Sequence, residues 1–440
     1  MPDVRAFRGL LYSSESRDVT TLVAPPYDVL DESRRDAYSQ KSPFNVVHAD
    51  LPPKKPEDLS ERDRYERAKQ TYEGWLKDGT LATSSKEALY LAVQTYSLGG
   101  AALTRVGIVG LVDALSLQQG GILPHERTFE GPKKDRLELL RSLEAHLSQI
   151  FLLYRGDGDP TLELWESIGE DAYIREAIDA DGTLHRLYPV ENPAAIERIR
   201  AFLSEKRMYV ADGHHRLETA LTYAKERIGA GAPPEGAHRY TLAFLCNMNQ
   251  PGLKILGYHR LLRSSCGQGI EERLTKAGFA LTEVDETLTP EAIESALLGS
   301  KLRYGFSFGL VEKNTNRLTL KLATLPQDRH RALKEGLTRE GLDESVASLD
   351  VALVDRYVLG EILRLDDTTK KEHIVYEPDL RKVIGLIEDQ TLKAGILLNP
   401  LSPEEVIRVS EASQKMPQKS TYFYPKLLTG LIVYDLNRSF

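Results

Sequence analysis

"YVADGHHRLETAL", Tyr209 to Leu221, decides the fold because its character changes across one residue. Up to Asp212 it reads as a short buried strand, and from His214 an amphipathic helix begins, with Gly213 as the hinge between them. Such a junction places the chain among mixed α/β proteins. It also concentrates chemistry. Gly213 permits a positive φ or a close approach, the start of the helix favours an anion, and the planar fork of Arg216 can hold phosphate oxygens. Asp212, at the carboxyl end of the strand, can accept a proton from a substrate hydroxyl or bind a metal ion. A plainer reading makes Asp212 the helix N-cap, Gly213 a turn residue and the histidines solvent-facing. One side-chain oxygen suffices for a cap, however, and four polar side chains crowd this first turn. Adjacent helical positions diverge by about 100°, so His214 and His215 cannot face one zinc ion as an i, i+4 pair would.

The surrounding chain of 440 residues has room for two or three domains. Hydrophobic residues make up 41% and charged residues 28%, the balance of a globular protein rather than a disordered or collagen-like one. A net charge of −8 argues against a nucleic-acid or membrane surface as the partner. The N-terminus lacks the apolar core of a secretory signal, and no apolar run approaches the roughly 18 residues that span a membrane. Two cysteines, Cys246 and Cys266, give neither a disulfide framework nor a CxxC knuckle, so a cytoplasmic location is expected. Cys246 lies in the apolar run "YTLAFLCNM", where a buried structural thiol is the simpler reading.

Local patterns supply the elements. "VAPPYDVLD" reads as a rigid loop, since Pro25 and Pro26 exclude a helix until after Asp28. Tyr65, Ala68, Tyr72, Trp75 and Leu76 mark a helix between Asp58 and Asp78. "ALYLAVQTYS" and "TRVGIVGLVDAL" flank Gly99 and Gly100 as a β-hairpin. Leu137, Leu140, Leu143 and Leu147 describe one helical face before the strand "IFLLY". "NPAAIERIRAFLSEKR" is a further helix, and the helix after Gly213 ends near Gly229. "YTLAFLCNM" and "LKILGYHRLL" resemble strands, as do "RYGFSFGLV" and "RLTLKLAT" across the turn "EKNTN". A long helix "SLDVALVDRYVLGEILRL", the strand-like "KAGILLNP" and the helix "SPEEVIRVSEAS" complete the chain before the loop "KMPQKSTYFYPKL". Three regions are expected: 1–263 around the junction, an α+β lobe over 264–345, and a C-terminal α/β region over 346–440 that returns to the site.

Two more clusters carry chemistry. In "LPHERTFEGPKKDRL", His125, Glu126 and Arg127 follow a strand, while Lys133, Lys134 and Arg136 lead into a helix. A base among cations keeps its charge, and the cations suit a polyphosphate; taken alone, the same residues make an ordinary charged turn. In "MPQKSTYFYPKLLTG", Lys419, Ser420, Thr421 and Lys426 suit an anion, with Tyr422, Phe423 and Tyr424 read as packing anchors. "GFSFG" at 305–309 imitates a hydrolase nucleophile elbow, but Ser307 lies within an alternating strand pattern and no helix follows. Neither G-x-x-x-x-G-K-[ST] nor G-x-G-x-x-G occurs, so P-loop and dinucleotide fingerprints are absent.

The ordered set "VAPPYDV", "PHERTFEGPKKDRLELL", "YVADGHHRLETAL", "LGYHRLL" and "MPQKSTYFYPKLLTGL" resembles, over nearly the whole chain, a bacterial and archaeal family known chiefly by a domain-of-unknown-function number, one thousand and fifteen. Locally, from Leu123 to Ala220, "DGHHR" also looks like the signature of free-serine kinases in the ParB/sulfiredoxin superfamily, with a longer insertion between the two motifs. That resemblance implies a ParB/sulfiredoxin-like core within a larger chain. It implies ATP or ADP with Mg²⁺, phosphates against His214, His215 and Arg216, and Glu126 or Asp212 orienting and deprotonating the hydroxyl of free L-serine. The candidate site is therefore Glu126 and Asp212 as catalytic carboxylates, with Gly213, His214, His215, Arg216, Arg136, His125, Lys419, Ser420, Thr421 and Lys426 as nucleotide or phosphate contacts. No protein ligand for a metal is assigned. The competing classes are a nucleotide-binding switch without transfer and a phosphate-releasing hydrolase.

Overall fold

Gly99 and Gly100 take φ of +57° and +78°, and the left-handed turn they form joins Leu89–Leu98 to Ala101–Asp113 in a long antiparallel hairpin. The computed structural model describes residues 2–13, 17–55, 58, 60–128, 130–285, 287–314 and 317–438. Its chain divides into two units: Met1–Pro124 with Thr128–Lys254 and Pro425–Phe440, and His125–Arg127 with Ile255–Tyr424. Each unit is mixed α/β, as the junction at Gly213 predicts.

In the first unit the hairpin lies inside a mixed sheet. On one side of it follow Leu184–Val190 and Arg175–Ile178. On the other, Tyr240–Asn247 pairs antiparallel with Ala101–Asp113 and parallel with Ile150–Tyr154. Ile150–Tyr154 in turn pairs antiparallel with Met208–Asp212, whose far neighbour is Ile122–Leu123. Every residue of Tyr240–Asn247 is buried, Cys246 included, which is the near-continuous apolar reading of a strand covered on both faces. The helix Pro193–Ser204 packs Ile199 and Leu203 into the same core as Val210 and Leu217. The helix Glu61–Lys77 buries Tyr65, Ala68, Tyr72 and Trp75 in a second core with Leu139, Leu143 and Leu147. That helix starts three residues later than Asp58, because Ser60 and Asp63 form a reciprocal capping box.

The second unit is built on a six-stranded antiparallel sheet, in the order Ala280–Glu283, Arg317–Thr324, Ser307–Asn314, Ala394–Leu397, His259–Leu262, Ile374–Glu377. Strands from 264–345 and from 346–440 thus share one sheet. Ser307 is fully buried within its strand, away from any strand-to-helix elbow. Of the turn "EKNTN", Thr315 and Asn316 lie outside the described residues. "LKILGYHRLL" is two strands, Lys254–Leu256 and His259–Leu262, interrupted at Gly257, where a Cβ would meet the Leu398 carbonyl at 2.6 Å. Among the described residues no helix is long and apolar enough to cross a membrane.

The tightest backbone approach in the first unit is at Gly252, where an added Cβ would lie 1.9 Å from the Thr104 carbonyl oxygen. Backbone cannot swing aside as a side chain can. Gly252→Ala is therefore expected to cost at least about 1–3 kcal/mol, read as a lowered denaturation midpoint of the full chain; an unchanged midpoint would contradict this packing.

Candidate functional site

The strand Met208–Asp212 slips register between Val210 and Asp212, so a bulge re-aims its last residue. Gly213 follows at φ +85° and serves as N-cap of the helix His214–Gly229, which no side chain caps. Asp212 is therefore not the N-cap that the plainer sequence reading requires. Its Oδ1 accepts from the Gly213 N–H at 2.8 Å, and its Oδ2 accepts from the Lys426 ammonium at 3.0 Å. Nor do both histidines face solvent, since His214 is buried.

Burial alone would raise the Asp212 carboxyl, but the charges of Lys426 and Arg216 and the bonds from Lys426 and the Gly213 N–H overcome it. The group is held well below the ordinary carboxylate range. Arg216 folds back against Gly213, its guanidinium 3.2 Å from where a Cβ would stand, and donates from Nη1 to Ser148 Oγ at 3.1 Å and to the Gln149 carbonyl. A side chain at 213 would have to take a positive φ, which favours glycine, and would press on this guanidinium.

Lys426 is itself fixed by a buried polar chain. Arg105, fully buried, donates to Gln94 Oε1 at 2.9 Å and to the Pro425 carbonyl at 2.5 Å, with Phe151 and Phe244 rings beside its guanidinium. Burial pushes its pKa down to about 10. Because the Gln94 oxygen faces Arg105, its amide nitrogen donates to the Lys426 carbonyl at 3.0 Å and lies 3.2 Å from His185 Nδ1. His185 then carries its proton on Nε2, 3.0 Å from Asp179 Oδ2. Burial lowers the pKa of His185 against the opposing pull of Asp179, keeping the ring neutral at pH 7. None of Asp179, His185, Gln94 or Arg105 stands in a motif, and only the pairing of strands 89–98 and 184–190 aligns Gln94 with His185.

Arg136 is committed elsewhere in the first unit. It donates to the Asp50 carbonyl and carboxylate at 2.9 and 3.2 Å, donates to Asp135 Oδ2 at 2.6 and 2.8 Å, and stacks over Tyr27 at 4.3 Å. Lys133 pairs with Glu130 and Glu218, while Lys134 is exposed. His215, half-buried, stays in the first unit beside His214, and the remaining predicted residues belong to the second unit. The His125 carbonyl accepts from the Met416 N–H at 2.8 Å, Glu126 bridges to Met416, and His125 Nε2 lies 3.1 Å from Thr421 Oγ1. Ser420 donates to the Pro417 carbonyl at 2.5 Å. Lys419, at φ +54°, lies over the Tyr258 ring at 5.2 Å and accepts on its carbonyl from Arg260 at 3.2 Å. Arg260, inside "LGYHRLL", is buried, and sequence reasoning gave it no part. The C-terminal motif is thereby divided: Lys419, Ser420 and Thr421 stand in one unit and Lys426 in the other.

Among the described residues no group of three or more His, Cys, Asp or Glu side chains is arranged to hold a metal ion. What the first unit offers is a single ionised carboxylate between two cations at a helix start. That set suits orienting a hydroxyl or binding a charged phosphoryl group, whereas a carboxylate so far below its usual range is a weak proton acceptor.

The family model described as "Protein of unknown function (DUF1015)" matches residues 4–352. No curated protein matches the chain. Among solved structures, a free serine kinase mutant in complex with AMP is 14% identical at a TM-score of 0.35, covering 72% of this chain and 87% of that one. A conserved hypothetical protein from Pyrococcus furiosus is 12% identical at 0.34, covering 72% and 91%. SbnI with a C-terminal truncation, from Staphylococcus aureus, is 10% identical at 0.34, covering 73% and 85%.

The Lys426–Asp212 pair can be tested without any ligand. Removing one member of a mostly buried pair leaves the other charge uncompensated, so Lys426→Met is expected to destabilise by about 1–3 kcal/mol, and Asp212→Asn added to it to recover part of that loss. Since the folded pKa of Asp212 is depressed, its contribution is full above the ordinary carboxylate range and fades as pH falls toward the folded value. The stability gap between wild type and Asp212→Asn, read by urea titration, should accordingly be constant near neutrality and shrink below about pH 4. A gap that widens on acidification would contradict the pairing.

Proposed function

We propose that this chain, which belongs to the DUF1015 family, is a small-molecule phosphotransferase that moves a phosphoryl group from ATP or ADP to the hydroxyl of a small amino acid, free L-serine being the acceptor implied by "DGHHR". The observation that carries this reading is the Asp212–Lys426 pair at 3.0 Å, set on the left-handed Gly213 with Arg216 folded against it. Phosphoryl transfer asks little covalent chemistry of a protein and much positioning and charge neutralisation, which is what a fixed carboxylate between two cations supplies.

The roles divide as follows. Arg216, His214, His215 and Lys426 receive phosphate oxygens, and the glycine at 213 lets them approach the backbone. Asp212 orients the acceptor hydroxyl as a hydrogen-bond acceptor. Glu126 keeps the role that the resemblance implies, removal of the hydroxyl proton. Mg²⁺ enters this reading with the nucleotide, carried chiefly by its phosphate oxygens, and would supply charge neutralisation. A cytoplasmic setting and the absence of a nucleic-acid partner belong to the same reading, supported by the net charge of −8.

The experiment is direct. Full-length protein with Mg²⁺, L-serine and either ATP or ADP is expected to yield O-phosphoserine by ³¹P NMR. Asp212→Ala and Glu126→Gln should each lower turnover by about 10²-fold or more without loss of cooperative unfolding. No O-phosphoserine with either donor overturns the serine assignment. Free phosphate without a phosphorylated acceptor makes the protein a hydrolase, and nucleotide binding without turnover makes it a switch.

A further inference from the structure

The loop "VAPPYDV" has no part in the reading above, yet its Tyr27 lines a cavity of the first unit. The cavity measures about 50 Å³ and is half open to solvent, with Asp50, Arg136, Ser148, Arg216 and Thr219 among its walls. One water needs roughly 10–15 Å³ by this measure, so the space takes a group of about four heavy atoms and not a nucleotide.

Its walls carry hydrogen-bonding capacity that the protein does not use. Thr219 is 4% exposed, and its Oγ1 has no partner among the described residues. An unpartnered buried hydroxyl costs about 1–3 kcal/mol, which a ligand accepting from it would relieve. Thr219 stands one turn beyond Arg216 on the helix His214–Gly229, so both present to one face. Arg216 uses only Nη1 on protein acceptors, which leaves Nε and Nη2 to be shared between the phosphate of the reading above and a group in this cavity. Arg136 differs: bound on both sides by Asp50 and Asp135, it is a strut that fixes Asp50 in the wall.

Besides Arg136, which already holds one oxygen of Asp50, the cavity shows a ligand the cation of Arg216 and the carboxylate of Asp50. A lone oxyanion would meet the Asp50 carboxylate, and a lone amine would meet Arg216. A zwitterion satisfies both. We infer that this cavity binds the head group of a small α-amino acid, its carboxylate on Arg216 and the Thr219 hydroxyl, its ammonium on Asp50, with the Tyr27 phenol at the wall. Burial pushes the Asp50 carboxyl upward against the opposing charges of Arg136 and Arg216, and a bound ammonium would favour its ionised form. The inference gives the acceptor of the proposed phosphotransferase a place; it rests on that reading for its use, while binding itself needs no transfer.

Calorimetric titration of the full chain without nucleotide tests it, using glycine, L-alanine, L-serine and L-threonine against acetate, ethanolamine and inorganic phosphate. At least one amino acid is expected to bind, with acetate and ethanolamine at least about tenfold weaker, since each keeps one half of the charge pattern. Thr219→Val keeps the shape and removes the hydroxyl. It should leave stability equal or higher and weaken amino-acid binding about tenfold, a combination that a structural role would not give. Tyr27→Phe gives a second reading that spares the Arg136 network. Binding of no amino acid, tighter binding of phosphate, or affinity unchanged in both variants overturns the inference. Amino-acid binding sensitive to Thr219→Val without any O-phosphoserine would keep the cavity and remove the transferase reading. Transfer with an unaltered KM for serine in Thr219→Val would do the reverse.

Discussion

Asp212 remains a carboxylate ion because Lys426, 214 residues away in sequence, reaches it at 3.0 Å. Without that cation, only Arg216 and the Gly213 N–H would oppose the burial that disfavours the ionised form. The ion pair therefore ties the C-terminal segment to the strand-to-helix junction. It also sets one negative charge in contact with Lys426 and near enough to Arg216 to respond to its charge. Local propensity alone would build the strand and the helix but would not fix the charge between them.

The pair is held by groups that are costly to bury. Arg105 is removed from water entirely and is stabilised through Gln94, the Pro425 carbonyl and two aromatic faces. Such an arrangement is a poor source of stability compared with apolar packing. Its effect is geometric. The two carbonyls at Pro425 and Lys426 can be met by Arg105 and Gln94 in only one register, and the orientation that Arg105 gives Gln94 sets in turn the tautomer of His185 facing Asp179. A chain of satisfied polar groups specifies position better than apolar contacts of the same size, because a one-residue slip leaves several of them unpaired.

This divides what the sequence made legible from what it did not. Short-range devices were readable: the Gly99–Gly100 turn, the Tyr65 to Trp75 stripe, the strand and helix on either side of Gly213. Each depends on neighbours within a few residues. The slip at Gly257 was not readable, since its cause is the Leu398 carbonyl on a distant strand. Asp212, Gly213 and Arg216 are neighbours in one motif, whereas the contact of Lys426 with Asp212 could not be read from either motif. Arg136 does not join them as a free cation, because Asp50 lies more than eighty residues upstream and no motif marks it. The polar chain behind Lys426 gave no signal at all: glutamine and histidine inside strands look like ordinary polar positions until the pairing of strands aligns them.

The electrostatics also assign the work within the site. A base must gain a proton as the reaction proceeds, and its reactivity falls as its pKa falls. Lys426 and Arg216 depress that of Asp212 so far that its basicity is small, yet the same cations make its position and charge invariant. An invariant carboxylate is what a positioning group requires, since it accepts a hydrogen bond in one direction without competing for the proton. At Asp212 the cations that hold the carboxylate in place thus leave it little basicity. The proton acceptor proposed above, Glu126, stands in a separate motif of the chain.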